Sequence, residues 1–187
     1  MPLSALHGCK LWAKDANYRH RPIALGDQVI TEPWSFDLTT GEQMTRQHPL
    51  TGMHEPWSIM RTGHHCGMLT GCDAGMLMFR SGATGFYDLN TDHGTQHFAG
   101  HRLGCWINAI PASGLVMIPE ASAGCVCLFS IASTIVMEPR EERRPWTISS
   151  AVGAQTPVKA MALNLGAPGD RKDADGKLWL SYPRLRA

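Results

Sequence analysis

A six-residue motif occurs twice in the chain. It reads Phe-Asp-Leu-Thr-Thr-Gly at Phe36–Gly41 and Tyr-Asp-Leu-Asn-Thr-Asp at Tyr87–Asp92, so the second copy starts 51 residues after the first. In each copy an aromatic residue, an aspartate and a leucine precede a polar cluster that is typical of tight turns. The motif therefore predicts a β-strand that runs directly into a turn.

The motif belongs to a longer repeat. Apolar runs follow Gly26, Gly75 and Gly114, and Glu138 takes the place of a third aspartate, 50 residues after Asp88. A repeat near fifty residues that is built from strands and turns is typical of a β-propeller blade. The sequence thus predicts three units, over about residues 19–46, 59–98 and 102–146.

The composition favours an all-β fold. Nineteen glycines and twelve prolines interrupt the chain, and no stretch of helical length keeps the spacing of an amphipathic helix. With 187 residues, of which 43% are hydrophobic and 18% charged, the chain is long enough to bury one substantial core.

The charge and hydropathy patterns argue against two classes of partner. The net charge is +1 and the basic residues are scattered, which leaves no footprint for a nucleic acid. No apolar run approaches the roughly 18 residues of a membrane-spanning helix. The first residues lack the charged start and apolar run of a signal peptide, so we expect a soluble chain that is not exported.

Three units leave a propeller incomplete, because propellers close with about four to eight blades. We therefore expect a partial propeller of about three four-stranded blades over residues 1–147, the C-terminal part of a longer parent chain. Residues 148–187 are predicted to add a short β segment, with strands at Val158–Leu165 and Lys177–Leu180, that resembles the start of a β-sandwich. The expected partners are the missing blades, and a homo-oligomeric ring is the alternative.

The repeat resembles that of PQQ-binding-like β-propellers, the superfamily of the quinoprotein alcohol dehydrogenases. The resemblance lies in Phe36–Glu42 and in the tryptophans that close units at Leu11–Trp12 and Pro145–Trp146. Four further motifs are similar to a bacterial subgroup of large PQQ-like repeat proteins. These are Gly63–Gly67, Gly104–Ala112, Gly124–Cys127 and Asn164–Arg171.

The resemblance implies a fold and a binding surface, and it leaves the reaction open. The dehydrogenases of this superfamily use an adjacent cysteine pair beside the quinone, whereas Cys125 and Cys127 are separated by one residue. We therefore expect a ligand- or protein-binding scaffold, with no catalytic residue assigned. The alternative is an oxidoreductase that uses PQQ or a metal ion in the full-length protein. A periplasmic or extracellular location is expected for that parent protein.

Two cysteines occupy equivalent positions in neighbouring units. A shift of 39 residues aligns Cys66 with Cys105, each nine residues before the glycine of an apolar run. Equivalent positions on inner strands would bring both cysteines to a central channel, where nearby histidines could complete a metal or haem-edge site. The alternatives are small buried hydrophobic residues or a structural disulfide.

Cys125 and Cys127 are the other metal or disulfide candidates. They follow a stretch rich in proline, serine and glycine, where a loop could reach the mouth of the channel. Cys105 with Cys125 is the first disulfide that we would test. Six cysteines allow 15 complete pairings, so the sequence leaves the pairing open.

Cationic residues open all three predicted units. If these side chains converge at one mouth of the channel, they favour an anionic ligand such as a carboxylate or a quinone. A carbohydrate or a protein partner is the alternative ligand, and ordinary solvated strand ends are the alternative role. The candidates are Arg19, His20, Arg21, His64, His65, His101 and Arg102.

The six tryptophans are predicted to pack between blades, because each can bury roughly 150–250 Å². They are Trp12, Trp34, Trp57, Trp106, Trp146 and Trp179.

An acidic stretch lies near the C-terminal end, at Asp170–Gly176, and it lacks the ligand pattern of an EF-hand. There we expect a β-turn at Asp175–Gly176, with a calcium ion as the alternative.

Overall fold

The computed structural model describes residues 2–72, 75–98, 100–106, 108–120, 133–139, 146–149 and 157–183. Across these segments the chain forms sixteen strands and no α-helix, so the predicted all-β class is confirmed. In the same segments there is no helix long and apolar enough to cross a membrane.

The strands up to residue 137 form three antiparallel meanders and one hairpin. The first sheet contains β1 (Ile23–Leu25), β2 (Gln28–Thr31) and β3 (Trp34–Asp37). The hairpin contains β4 (Thr45–Gln47) and β5 (His54–Pro56). The second sheet contains β6 (Thr70–Cys72), β7 (Met76–Ser81), β8 (Ala83–Asp88) and β9 (Thr95–Phe98). The third sheet contains β10 (Ile110–Ala112), β11 (Leu115–Ile118) and β12 (Ile135–Met137).

The C-terminal strands extend the second sheet and add one more. β13 (Thr147–Ile148) pairs with β9, so the second sheet has five strands. The last sheet has the order β14-β16-β15, in which β14 and β16 are parallel. Its strands are β14 (Ala162–Leu165), β15 (Arg171–Lys172) and β16 (Leu178–Tyr182). Both strands that we predicted in this region are present, but the first is shorter than expected and the second extends to Tyr182, and β15 is an additional one.

The repeated motif forms the same turn in both units. Asp37 ends β3 and Asp88 ends β8. The Asp37 carboxylate accepts hydrogen bonds from the backbone N–H groups of Thr40 (2.6 Å) and Thr39 (2.8 Å), and these bonds hold the pKa of Asp37 below its usual range. The Asp88 carboxylate accepts the equivalent bond from Asn90 (2.9 Å). The predicted strand that runs into a turn is confirmed twice.

The sixth position of the motif is left-handed in both copies, with φ of +75° at Gly41 and +48° at Asp92. In the first copy the Trp12 ring lies so close that a Cβ on Gly41 would stand 2.6 Å from it. In the second copy the Asp92 carboxylate accepts hydrogen bonds from Trp57 Nε1 (3.1 Å) and from the Tyr87 hydroxyl. One backbone position therefore supports two different packing arrangements.

The second sheet lies between the first and the third. Leu77 and Phe79 on one face of β7 pack in a core cluster with Ile30 of the first sheet. Met78 on the opposite face packs in a second cluster with Ile118 of the third sheet. Because alternate residues of a strand point to opposite faces, β7 is buried on both sides. The described residues form no closed ring.

Asp170 attaches the last sheet to the second one. Its backbone exchanges hydrogen bonds with Thr147 of β13, at 2.6 and 2.7 Å. Its buried carboxylate accepts hydrogen bonds from the backbone N–H groups of Ser149 (2.9 Å) and Ser181 (2.9 Å) and from the Ser181 hydroxyl (3.1 Å). One buried carboxylate thus links two sheets.

The prediction of six core tryptophans is wrong in part. Trp57 is buried, whereas Trp106 is 94% exposed and Trp146 and Trp179 are each 38% exposed. The last two are covered by cationic side chains instead of by a core, since the Arg171 guanidinium lies 3.6 Å from the Trp146 ring centroid.

The turn expected near Asp175–Gly176 is confirmed. The backbone N–H of Gly176 donates to the Asp173 carbonyl (3.1 Å), and Gly176 has a φ of +78°. The Asp173 carboxylate accepts hydrogen bonds from the backbone N–H groups of Asp175 and Lys177 and from Trp179 Nε1. The Asp173 carboxylate therefore stabilises the turn.

Candidate functional site

The loop that leads into β6 is fixed to the first sheet by a buried arginine. Arg61 Nη2 lies 2.5 Å from Oε2 of Glu32, which follows β2. Arg61 Nη1 donates to the carbonyl oxygens of Gly67 (3.1 Å) and Arg80 (3.4 Å). Burial lowers the pKa of Arg61, and the Glu32 carboxylate opposes this change. The side chain thus holds both ends of the loop, residues 61–67.

A second buried arginine lies behind the same loop. Arg80, on β7, is 1% exposed. Its Nη1 donates to Cys66 Sγ and to Cys105 Sγ, at 3.3 Å each, and its Nη2 lies 3.3 Å from His64 Nδ1. Because a guanidinium can only donate, His64 accepts at Nδ1 and carries its ring proton on Nε2. Arg80 therefore presents one positive charge to two sulfurs and an imidazole.

Cys66 and Cys105 are in direct contact, with 2.7 Å between their Sγ atoms, and either thiol can donate to the other. The backbones beside them approach closely. Gly67 has a φ of +81°, and a Cβ there would lie 2.8 Å from Asn108 Oδ1 and 3.0 Å from the Cys105 carbonyl oxygen. Asn108 Nδ2 donates to the Met68 carbonyl oxygen (2.5 Å). Close packing between the second and third units therefore sets the distance between the sulfurs.

The outer part of the site joins the first and second units. Arg19 Nη1 donates to His65 Nε2 (3.4 Å), and His65 Nδ1 donates to the Gly63 carbonyl oxygen (2.7 Å). His20 Nε2 lies 3.9 Å from the Glu32 carboxylate. Arg19, His64 and His65 are exposed, so cationic and imidazole groups reach solvent in front of the two buried arginines.

Two of the remaining ligand-binding candidates are in the interior. His101 and Arg102 are buried. His101 Nε2 donates to the Ser133 carbonyl oxygen (3.0 Å), and its Nδ1 lies 3.3 Å from the Thr84 hydroxyl, so this ring bridges the second and third units. Arg21 is exposed beside Arg19 and His20. The structure thus brings together Arg19, His20, His64 and His65, and it places His101 and Arg102 in the interior.

The charge of Arg80 decides which chemistry suits the sulfurs. A metal ion bound by Cys66, Cys105 and His64 would lie against a guanidinium, and like charges repel at that distance. Within the described ranges no three His, Cys, Asp or Glu side chains are placed to hold a metal ion. Cys125 and Cys127 lie outside the described residues, as does one half of the expected Cys105–Cys125 pair. The site suits anions and thiol chemistry.

Two important side chains, Glu32 and Arg80, were absent from the sequence-based candidates. A signal existed for Arg80, because it is the one charged residue of the strand Met76–Ser81 and buried charges are rare unless they have partners. No comparable signal marked Glu32, since its partner is 29 residues away. No match is found among protein-family models, curated proteins or solved structures.

Proposed function

We propose that the chain is a binding scaffold in which the three consecutive sheets are blades of a PQQ-like β-propeller. The packing of the sheets supports this assignment. β1 lies beside β6, and β6 lies beside β10, so the first strands of the three sheets are neighbours. Apolar side chains fill the space on both faces of the second sheet. Blades of a propeller pack on each other in this way.

The third sheet supports a further blade as the partner. Ile110, Met117 and Val136 face one another across β10, β11 and β12, and they are 44%, 43% and 54% exposed. A row of large apolar side chains across a sheet is the type of surface that packs against another sheet. In this proposal a neighbouring blade of the parent chain covers the row, and a second copy of the chain is the alternative.

The proposed ligand is a small anion such as a carboxylate. We define the cationic cluster as Arg19, His20, Arg61, His64, His65 and Arg80. Within it, Arg61 pairs with the carboxylate of Glu32, and His20 Nε2 lies 3.9 Å from the same carboxylate. The contact between Arg19 and His65 is the observation that carries the proposal, because it brings exposed groups of two units to one place. Guanidinium and imidazole groups together favour carboxylate ligands.

The test is calorimetric titration of the chain with citrate and with PQQ, both of which are tricarboxylates. Arg19→Glu reverses one exposed charge in the cluster and is expected to weaken binding about tenfold or more, which corresponds to about 1.4 kcal/mol. Lys159→Glu is the matched control, because Lys159 is exposed and lies in the C-terminal part of the chain. Its affinity should stay at the wild-type value.

Equal losses in the two variants would mean a general charge effect and would remove the cationic cluster as the site. The same titration addresses the alternative function, a quinoprotein oxidoreductase. If the PQQ complex oxidises an alcohol in the presence of an artificial electron acceptor, the oxidoreductase replaces the scaffold as the function. Binding of citrate without such turnover supports the scaffold.

A further inference from the structure

We infer that Cys66 and Cys105 form an exchange-active dithiol, which a small anionic disulfide oxidises to an intramolecular disulfide. The anionic character of the substrate rests on the proposed function, that is, on the cationic cluster. The reaction itself rests on the geometry of the two sulfurs.

Proximity of the two sulfurs favours exchange between them. The two cysteines are 39 residues apart in sequence, yet their sulfurs are 2.7 Å apart. The close approach at Gly67 and the hydrogen bond from Asn108 to Met68 hold the two backbone segments together. In thiol–disulfide exchange the second step requires a neighbouring thiolate that attacks the mixed disulfide. Each cysteine has such a neighbour in the other.

A positive charge lies beside both sulfurs. The thiolate is the nucleophile in exchange, and nearby cationic groups stabilise it. Arg80 Nη1 is 3.3 Å from both sulfurs, so one guanidinium can stabilise a thiolate on either cysteine. Burial of Arg80 strengthens this interaction, because solvent screens it less.

Access from solvent also favours the reaction. Cys66 and Cys105 are both partly exposed, so a reagent in solution can reach them. His64 and His65 lie on the loop of residues 61–67, which also carries Cys66, and Arg19 contacts this loop through His65. The side chains of all three residues are exposed. A disulfide that carries carboxylates would meet cationic groups before it meets the sulfurs. Oxidised glutathione has these properties.

The exchange has two steps. One cysteine thiolate attacks a sulfur of the small disulfide, which breaks its S–S bond, forms a mixed disulfide and releases one small thiolate. The second cysteine thiolate then attacks the sulfur of the first cysteine, forms the intramolecular disulfide and releases the second small thiolate. The two protons from the cysteine thiols end on the two released thiolates. The protein loses two electrons, and the small disulfide gains them.

Cys72 is an internal control. It is buried, and burial raises the pKa of its thiol to about 11. Its sulfur lies 3.9 Å from the Thr70 carbonyl oxygen. A thiol of this kind should stay reduced while the partly exposed pair reacts. Any oxidation of Cys72 would indicate unfolding.

The experiment treats the reduced full chain with oxidised glutathione, quenches with an alkylating reagent and maps the cysteines by tandem mass spectrometry. Trypsin cleaves after Arg61, Arg80 and Arg102, so Cys66 and Cys105 fall in different peptides. We expect a Cys66–Cys105 cross-link that a dithiol reductant reverses, with Cys72 alkylated. Cys66→Ser should instead hold one glutathione on Cys105.

Cystamine, a cationic disulfide, is the comparison reagent. We expect oxidised glutathione to form the cross-link about tenfold faster than cystamine, and we expect Arg19→Glu to reduce this preference. Circular dichroism of each variant checks that it is folded. Stable glutathione adducts on both cysteines, or no reaction at either, would overturn the dithiol inference and leave anion binding untouched. Equal rates with both reagents would overturn the anionic substrate class and would also count against the cationic cluster.

Discussion

The guanidinium of Arg61 and the carboxylate of Glu32 form a buried ion pair across two sheets, with Nη2 2.5 Å from Oε2. Both side chains are almost completely removed from solvent. A buried pair contributes little net stability compared with apolar residues of the same shape, but the loss of one partner leaves the other charge without compensation. This pair therefore matters mainly for how the first and second sheets are placed.

Glu32→Ala should lower the free energy of unfolding by about 3–5 kcal/mol, because Arg61 would keep a buried charge. Urea unfolding followed by circular dichroism measures the change. Glu55→Ala is the control, since it breaks the more exposed pair with Arg46 (2.9 Å) and should cost less than about 1 kcal/mol. Glu32→Leu combined with Arg61→Met should recover much of the loss. If Glu32→Ala costs no more than Glu55→Ala, the ion pair does not join the sheets.

Gly67→Ala should be more destabilising than Gly114→Ala. Both glycines are left-handed, with φ of +81° and +75°, so each substitution carries a conformational cost of about 1–2 kcal/mol. Only at Gly67 would the new Cβ also meet Asn108 Oδ1 at 2.8 Å, whereas Gly114 has open space. Thermal unfolding of both variants gives the difference. The same crowding should slow the cross-link at Cys66, and an unchanged rate would contradict the packing described there.

Tyr87→Phe should destabilise the chain by about 1.5–3 kcal/mol, because the hydroxyl donates to the Asp92 carboxylate and a hydrogen bond to a charged group has this value. Burial and the Asp92 charge also raise the pKa of Tyr87. Tyr18→Phe, at an exposed position, should change stability by less than about 0.5 kcal/mol. Chemical denaturation compares the two variants. Equal effects would mean that the hydroxyl of Tyr87 contributes nothing.

Stability should fall as the pH is lowered from 7.5 to 5, in part because of His97. Burial lowers the pKa of His97, and a hydrogen bond with the Ser81 backbone partly opposes this shift. Below the unfolded pKa of about 6.5 the unfolded chain takes up a proton that the folded chain still excludes, so the free energy of unfolding decreases as the pH falls. The decrease stops below the folded pKa, where both states are protonated.

His97→Gln keeps a polar group beside Ser81 and removes the titration. Between pH 7.5 and pH 5 the free energy of unfolding should therefore decrease less in this variant than in the wild type. Urea denaturation at four or five pH values measures both curves. Parallel curves would show that another group causes the loss of stability at acidic pH.

The parts of the fold that depend on short-range chemistry were predictable. The turns after Asp37 and Asp88 are formed by a carboxylate and the N–H groups two or three residues later. All the residues that determine the turn therefore lie within the motif. Strand partners over longer distances were not. Only Gly82 separates β7 from β8, whereas residues 119–134 separate β11 from β12, which explains why the alignments of 39 and about 50 residues disagree. β13 has only two residues, so the sequence contains no strand pattern from which its pairing with β9 could be predicted.

The site was predictable to a similar extent. The alignment of Cys66 with Cys105 relates two residues that the fold brings into contact. Arg80 was overlooked because it stands inside an apolar strand, where a charge is easily taken for an edge residue. Trp106 was predicted as core because of its size, but exposure depends on which surfaces have neighbours, and one sequence does not contain that information.

The short strand β13 has a consequence for how the chain behaves at high concentration. Without it, β9 would be an edge strand with a row of unsatisfied backbone groups, which is a template for strand addition by another molecule. Asp170 holds the residues after β13 in place through Ser149 and ties them to Ser181. A loosened C-terminal sheet would therefore favour intermolecular β-pairing before the rest of the molecule unfolds, so its first visible effect would be aggregation.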